Sequence, residues 1–224
     1  MLLLSTAFFP PVEYLALIAS GMTVPENPSG TVIASRVFLE AHENYQKQSW
    51  RNRCRFLSAS GPEDFSYPVV RPALGRPITE VKVDYSVPWV TRFKRALVSA
   101  YESSPFFDFY KDSLFEVLDS RPETLFELNT LSLEYLLEKL KIACEISRTE
   151  SFAVPGSEGC PRDDYRYVFH PKRPSHIMAN LGLDRPYWQV FSGRFGFCGG
   201  LSALDLLFNE GPEAMSYLRT RAHF

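Results

Sequence analysis

The chain has 224 residues, 45% of them hydrophobic and 22% charged, with 24 Lys and Arg against 26 Asp and Glu for a formal charge of −2. That length is enough to bury a real core, and the near-neutral charge excludes a global pull toward nucleic acid or an anionic membrane, so any basic site must be local. Cys54, Cys144, Cys160 and Cys198 lie far apart with no C-x-x-C pair, which points away from zinc and redox motifs and toward free thiols in a cytoplasmic protein.

Leu2-Leu3-Leu4 reads as a buried first strand, because Pro10, Pro11 and Glu13 interrupt what would be a leader's apolar segment and no cationic stretch precedes it. No run approaches the length of a membrane span. Ser5 or Thr6 is placed to cap a helix over residues 11–20, and a strand-to-helix turn of this kind offers backbone N–H groups to an anion. Residues 22–30 carry turn chemistry and read as a surface loop. Residues 36–41 form the second strand, which a right-handed crossover makes a parallel neighbour of the first.

Residues 42–56 follow, and they are the densest polar stretch of the chain. Lys47, Arg51, Arg53 and Arg55 are interleaved with His42, Tyr45, Trp50 and the amides of Asn44, Gln46, Gln48 and Asn52. Polar groups crowded at the end of a buried strand are where an α/β protein places its site. Arg51, Arg53 and Arg55 alternate with Asn52, Cys54 and Phe56, so a strand here puts three guanidiniums on one face. Such a row is either a solvated edge or a bidentate grip on phosphate or carboxylate. His42, just beyond the strand, is the candidate proton carrier. Walker, G-x-G-x-x-G, G-x-S-x-G and H-E-x-x-H signatures are all missing, and no metal ligand set is indicated.

Further along, residues 51–58 and 65–70 read as a hairpin around 60–64, and 78–85 as a half-exposed strand, since Val81, Val83 and Tyr85 alternate with Lys82 and Asp84. Apolar residues at helical spacing predict helices over 89–101, from Pro105 through Leu118, and over 122–144, with Phe106, Phe107, Phe109 and Tyr110 in the core. A short strand is expected over 144–151 and another over 187–191. Residues 153–186 receive no assignment; Arg162, Asp163, Asp164 and Arg166, beside Tyr165, Tyr167 and His170, suit a lid or an oligomer contact. Ser202 is placed to cap a helix over 201–209, and Gly211-Pro212 starts a last helix through Leu218. The elements make one domain over residues 1–224. Its class is α/β, with a mixed sheet that opens on a strand–helix–strand unit, antiparallel strands inserted, and helices packed around it.

Three stretches together carry a resemblance: Ser5 through Tyr14 (S-T-A-F-F-P-P-V-E-Y), His42 through Arg55, and Leu201 through Pro212, which has the form L-S-x-x-D-L-L-F-N-x-G-P. They resemble the WbqC-like protein family over nearly the whole chain. The resemblance implies bacterial surface-polysaccharide (O-antigen-type) biosynthesis without defining a reaction. The residues most often shared in the family correspond to Tyr45, Lys47, Asn52, Arg53, Ser202, Asp205 and Asn209. Many relatives carry H-Q-P-x-Y-x-P-W near the first strand; here Leu4, Ser5 and Thr6 stand in place of H-Q-P and Pro11 in place of Trp. Either His42 takes over the proton-moving role or this branch lacks the activity.

Two functions remain open. In the first, the protein is a group transferase (acyl or aminoacyl group to a sugar) acting on a nucleotide-sugar or another phosphate-bearing small molecule. Lys47, Arg51 and Arg53 hold phosphate, Tyr45 and Asn52 orient the transferred or accepting group, and His42 moves the proton. Asp205 and Asn209, i and i+4 on one helical face, share a common partner from the far end of the chain. In the second, it is a non-catalytic binding or scaffold protein in which Asn52, Arg53, Asp205 and Asn209 form a structural network that includes an Arg53–Asp205 ion pair. Whether Lys47, Arg51 and His42 line one open cleft discriminates the two. The sequence specifies no cofactor.

Overall fold

In a computed structural model, which describes residues 1–22, 34–157, 160–161 and 163–219, the chain begins in the middle of its own sheet. Strand β1 (Leu2–Leu4) pairs in parallel with β2 (Ser35–Leu39) on one side and with β6 (Asp163–Asp164) on the other; β5 (Cys144–Arg148) joins β2 in parallel, giving the order β5-β2-β1-β6. Leu3 and Leu4 are fully buried, as an unbroken apolar run in a covered parallel sheet should be. The antiparallel strands form a sheet of their own, in which β3 (Arg53–Ser58) pairs with β4 (Gly61–Ser66). The fold is thus α/β, with the expected mixture divided between two sheets. Most of the loop expected over 22–30, and Arg162, lie outside the described residues.

Helix α1 (Val12–Ser20) has the expected length, but neither Ser5 nor Thr6 caps it. The Val12 N–H donates to the Leu201 carbonyl at 2.9 Å, and the N–H groups of Phe8 and Phe9 donate to Trp50 O and Ser132 Oγ. The chain itself therefore consumes the donors that an anion would have needed at this turn. Helices α2 (Trp89–Tyr101), α3 (Phe107–Asp119) and α4 (Leu125–Lys139) follow the apolar spacing. A reciprocal capping box between Thr124 and Glu127 opens α4, which stops at Lys139, because Cys144 already belongs to β5.

Four local expectations are corrected. The hairpin turns at Ala59-Ser60, so Pro62, Glu63 and Asp64 lie in β4 instead of in the loop. Residues 78–85 contain a 3-10 turn (Ile78–Glu80) and only isolated bridges, Val69 with Val83 and Lys82 with Thr124; Val81 and Val83 are buried in alternation, yet no continuous partner strand runs beside them. Residues 187–191 form no strand, since no strand runs beside them among the described residues; the buried Gln189 side chain instead bridges the N–H and the carbonyl of Cys198. Phe109 is 80% exposed, since the inward stripe of α3 runs through Phe107, Tyr110, Leu114 and Leu118 and leaves position 109 on the far side.

The unassigned region supplies the edge strand β6 and a single helical turn, α5 (Ile177–Asn180). After another single turn, α6 (Ser192–Phe195), the chain enters α7 (Ala203–Glu210), where Ser202 Oγ accepts from Leu204 N–H as expected. Gly211 then leads through a 3-10 turn to α8 (Ala214–Leu218). At Gly211, φ is +52° and a Cβ would lie 2.5 Å from the Phe106 ring. Gly211→Ala is accordingly expected to lower stability by about 2 kcal/mol through backbone strain and overpacking, which a urea melt would read directly.

Candidate functional site

The carboxyl ends of the four parallel strands do gather polar groups, but those groups satisfy one another. Just past β2, the Glu40 carboxylate accepts from the His42 N–H (3.0 Å), the Thr149 hydroxyl (2.7 Å), the Ala153 N–H (3.0 Å) and Arg166 (2.8 Å). Arg166 also grips Asp164 through Nε and Nη2, at 3.0 and 2.7 Å, and hydrogen bonding to that guanidinium holds the Asp164 carboxyl below its ordinary range. Beside this knot the buried Arg51 pairs with the buried Glu43 through both Nε and Nη2, and donates to Ser5 Oγ at 2.9 Å. Glu40, Ser5, Thr149 and Arg166 thus tie the ends of all four strands together, and beside Ser5 and Arg166 lies a void of about 10 Å³. Such a void is the size of one water.

The open site lies further along the same stretch. A cleft of about 990 Å³ is lined by Tyr45, Lys47, Gln48, Asn52 and Arg53 from the dense stretch, with Arg71, Asp84 and residues 68–74 opposite. The Asn52 amide donates to Tyr67 O at 2.8 Å, which locks the turn that leads into β3. Arg53 and Arg55 do share a face of β3, and both reach Asp64, at 3.0 and 2.7 Å. Arg51 does not join them, because Trp50–Asn52 forms a 3-10 turn that ends the strand's alternation and sends its guanidinium inward. Burial raises the Tyr45 phenol's pKa, opposed by Arg51, Arg53 and Arg71. Lys47 and Arg71 are exposed and form no ion pair among the described residues.

The remaining expected residues stand elsewhere. His42 is exposed on a separate cleft beside Thr79, Arg148 and Glu150, so Lys47, Arg51 and His42 do not line one opening. Asp205 is fully buried and accepts from the hydroxyls of Tyr101 (2.8 Å) and Tyr187 (2.7 Å) and from the Gln189 amide (3.0 Å). The expected Arg53–Asp205 pair is therefore absent, its two members being committed to Asp64 and to this tyrosine–glutamine cage. Asn209 meets Ser104 and the Asp205 carbonyl, so the two helix residues share no external partner. Sequence reasoning missed Glu40, Arg71 and the positions of Arg166 and Arg55; the Glu40-x-x-Glu43 pair directly after an apolar strand was the available signal. Among the described residues no three His, Cys, Asp or Glu side chains gather to hold a metal, and no helix is long and apolar enough to cross a membrane.

Comparison with known proteins adds a family. The WbqC-like protein family matches over residues 7–164, a span that contains every residue lining the Lys47 cleft and ends before the Leu201–Pro212 stretch. The chain is 27% identical over 197 residues to "Uncharacterized protein Rv1507c" of Mycobacterium tuberculosis (strain ATCC 25618 / H37Rv), an alignment covering 78% of this chain and 84% of that protein. No solved structure matches.

Proposed function

The chain belongs to the WbqC-like protein family, and on that footing we propose that it serves bacterial surface-polysaccharide assembly by binding a phosphate-activated sugar in the Lys47 cleft. One observation carries the reading: Tyr45, Lys47, Asn52 and Arg53, separated along the stretch, meet in a single opening with Arg71. Its volume suits a nucleotide-sugar. Lys47 and Arg71 supply unpaired positive charge for phosphate, Arg53 is oriented by Asp64, and the Tyr45 hydroxyl and Asn52 amide supply neutral hydrogen bonds for sugar hydroxyls. Group transfer, of an acyl or aminoacyl group to the sugar, is the reaction class we assign.

Binding without chemistry is the second reading. The separation of Lys47, Arg51 and His42 favours it, as do the contacts of Arg51, Asp205 and Asn209, which hold the fold together, and the absence of any histidine among the described residues that line the Lys47 cleft. A thermal-shift panel of nucleotide-sugars, sugar phosphates and acyl donors tests the site itself. A ligand at about a hundred times its Kd contributes about 2.7 kcal/mol, or about 5–10 °C in Tm for a chain of this size. Lys47→Ala should leave the ligand-free Tm unchanged and weaken binding about 10–100-fold, the usual effect of losing a charged hydrogen bond. Equal shifts in wild type and Lys47→Ala would remove the cleft from the function, whereas a shift without turnover would select the binding protein over the transferase.

A further inference from the structure

A second cavity, of about 430 Å³, shares no lining residue with the Lys47 cleft. The first turn of α1, Trp50 and Arg55 line it together with residues 170–175 and 183–185, Phe197, Gly199 and Gly200, so much of it is built by chain beyond the family match. Four cations face it, Arg55, Lys172, Arg173 and Arg185, against the carboxyls of Glu13 and Asp184. Three of the cations are engaged. Arg55 holds Asp64 and Pro171 O, Lys172 reaches Gln48 at 2.5 Å, and Arg185 donates to the carbonyls of Ser216 and Tyr217. The exposed Arg173 guanidinium has no acceptor among the described residues.

Two further features add donors for an anion. The N–H groups of Gly199 and Gly200, just before the Ser202 cap of α7, donate to no described residue, and Gly200 has the positive φ (+70°) that lets successive amides turn toward one point. His170 Nδ1 accepts the Lys172 N–H at 3.1 Å, which places the ring proton of the neutral tautomer on Nε2 as a donor. The Glu13 carboxyl is bonded by no other described residue; burial raises its pKa, opposed by a hydrogen bond from its own N–H and by Arg55. At the rim, Phe197 is 42% exposed and is backed edge-on by Tyr187 at 5.2 Å. A cavity that presents cationic and amide donors together with a half-open aromatic ring matches a ligand that carries phosphates and a flat ring.

We propose that this cavity is a nucleotide-binding site, in which Arg173 and the Gly199–Gly200 amides hold the phosphates and Phe197 carries the base. The assignment goes beyond the function proposed for the Lys47 cleft and stands without it. The experiment is calorimetric titration of the full chain with ADP, GDP, UDP and CDP, with adenosine and inorganic pyrophosphate as half-ligands. At least one nucleoside diphosphate should bind at one site and more tightly than either half. Arg173→Ala should weaken it about tenfold or more, and Phe197→Ala should weaken it about tenfold while leaving pyrophosphate affinity unchanged. Both side chains are exposed, so the melting temperatures of the two variants should match wild type. Lys47→Ala should not alter this binding. The proposal is overturned if none of the four diphosphates binds, if binding survives both Arg173→Ala and Phe197→Ala, or if Lys47→Ala abolishes it, which would place the nucleotide in the first cleft.

Discussion

Arg51→Ala is expected to lower folding stability by about 3–5 kcal/mol, a large share of the 5–15 kcal/mol that holds an ordinary domain together. The guanidinium is 6% exposed and its partner carboxylate, Glu43, 3% exposed, so truncating the arginine leaves a buried anion with only the Ser5 hydroxyl beside it. That uncompensated charge, more than the lost attraction, accounts for the size of the effect. Arg51→Lys should cost less than alanine but still measurably, because an ammonium cannot engage both Glu43 oxygens and Ser5 with the planar fork that the structure uses. Arg51→Ala with Glu43→Ala should recover part of the loss, since the stranded charge goes too. Chemical denaturation of the three variants reads all of this. If Arg51→Ala melts like wild type while Lys47→Ala does not, the division drawn here between a structural arginine and a binding lysine is reversed.

Asp205→Ala should be comparably severe, at about 3–6 kcal/mol, because three buried donors, the Tyr101 and Tyr187 hydroxyls and the Gln189 amide, lose their acceptor together. Asp205→Asn keeps the shape but presents an N–H₂ where an oxygen accepted, and should cost about 1–3 kcal/mol. The carboxyl also has a pH signature. Burial raises its pKa in the folded state, and the hydrogen bonds from Tyr187 and Tyr101 only partly offset this. The folded protein therefore holds this proton more tightly than the unfolded chain does. The resulting stabilisation is fully present below the unfolded aspartate value of about 3.9 and is lost as pH rises through the raised folded value. The penalty for Asp205→Asn should accordingly be largest in acid and shrink as pH rises across that window. A penalty that instead grows with pH would show that the cage favours the ionised form.

Much of the fold was legible because its signals are local. Leu2-Leu3-Leu4 is apolar without a break, Trp89, Phe93, Leu97 and Tyr101 repeat at helical spacing, and Ser202 caps the helix that follows it. The errors share a different cause. Val81 and Val83 alternate as a strand would, and residues 187–191 are rich in strand formers, but a strand also needs a neighbour running alongside, and these segments have none among the described residues. The site divided in the same way. Tyr45, Lys47, Asn52 and Arg53, singled out from the density of the stretch and from the family resemblance, line one cleft, whereas Arg51 was counted with them because a strand's alternation was carried one turn too far.

By itself the sequence determined the α/β class, the opening strand–helix–strand unit, the helices and the stretch that holds the Lys47 cleft, all through patterns within about twenty residues of one another. The tertiary structure alone decided which charges face water. Arg51 differs from Arg53 in no property of its own; it is buried because Glu43 and Ser5 are brought to it at the strand ends. Asp205 is held in the core because Tyr101, from α2, and Tyr187, from the loop before α6, converge on its two oxygens. Burial and pairing are long-range quantities, and they set whether a polar side chain serves the fold or remains free for a ligand.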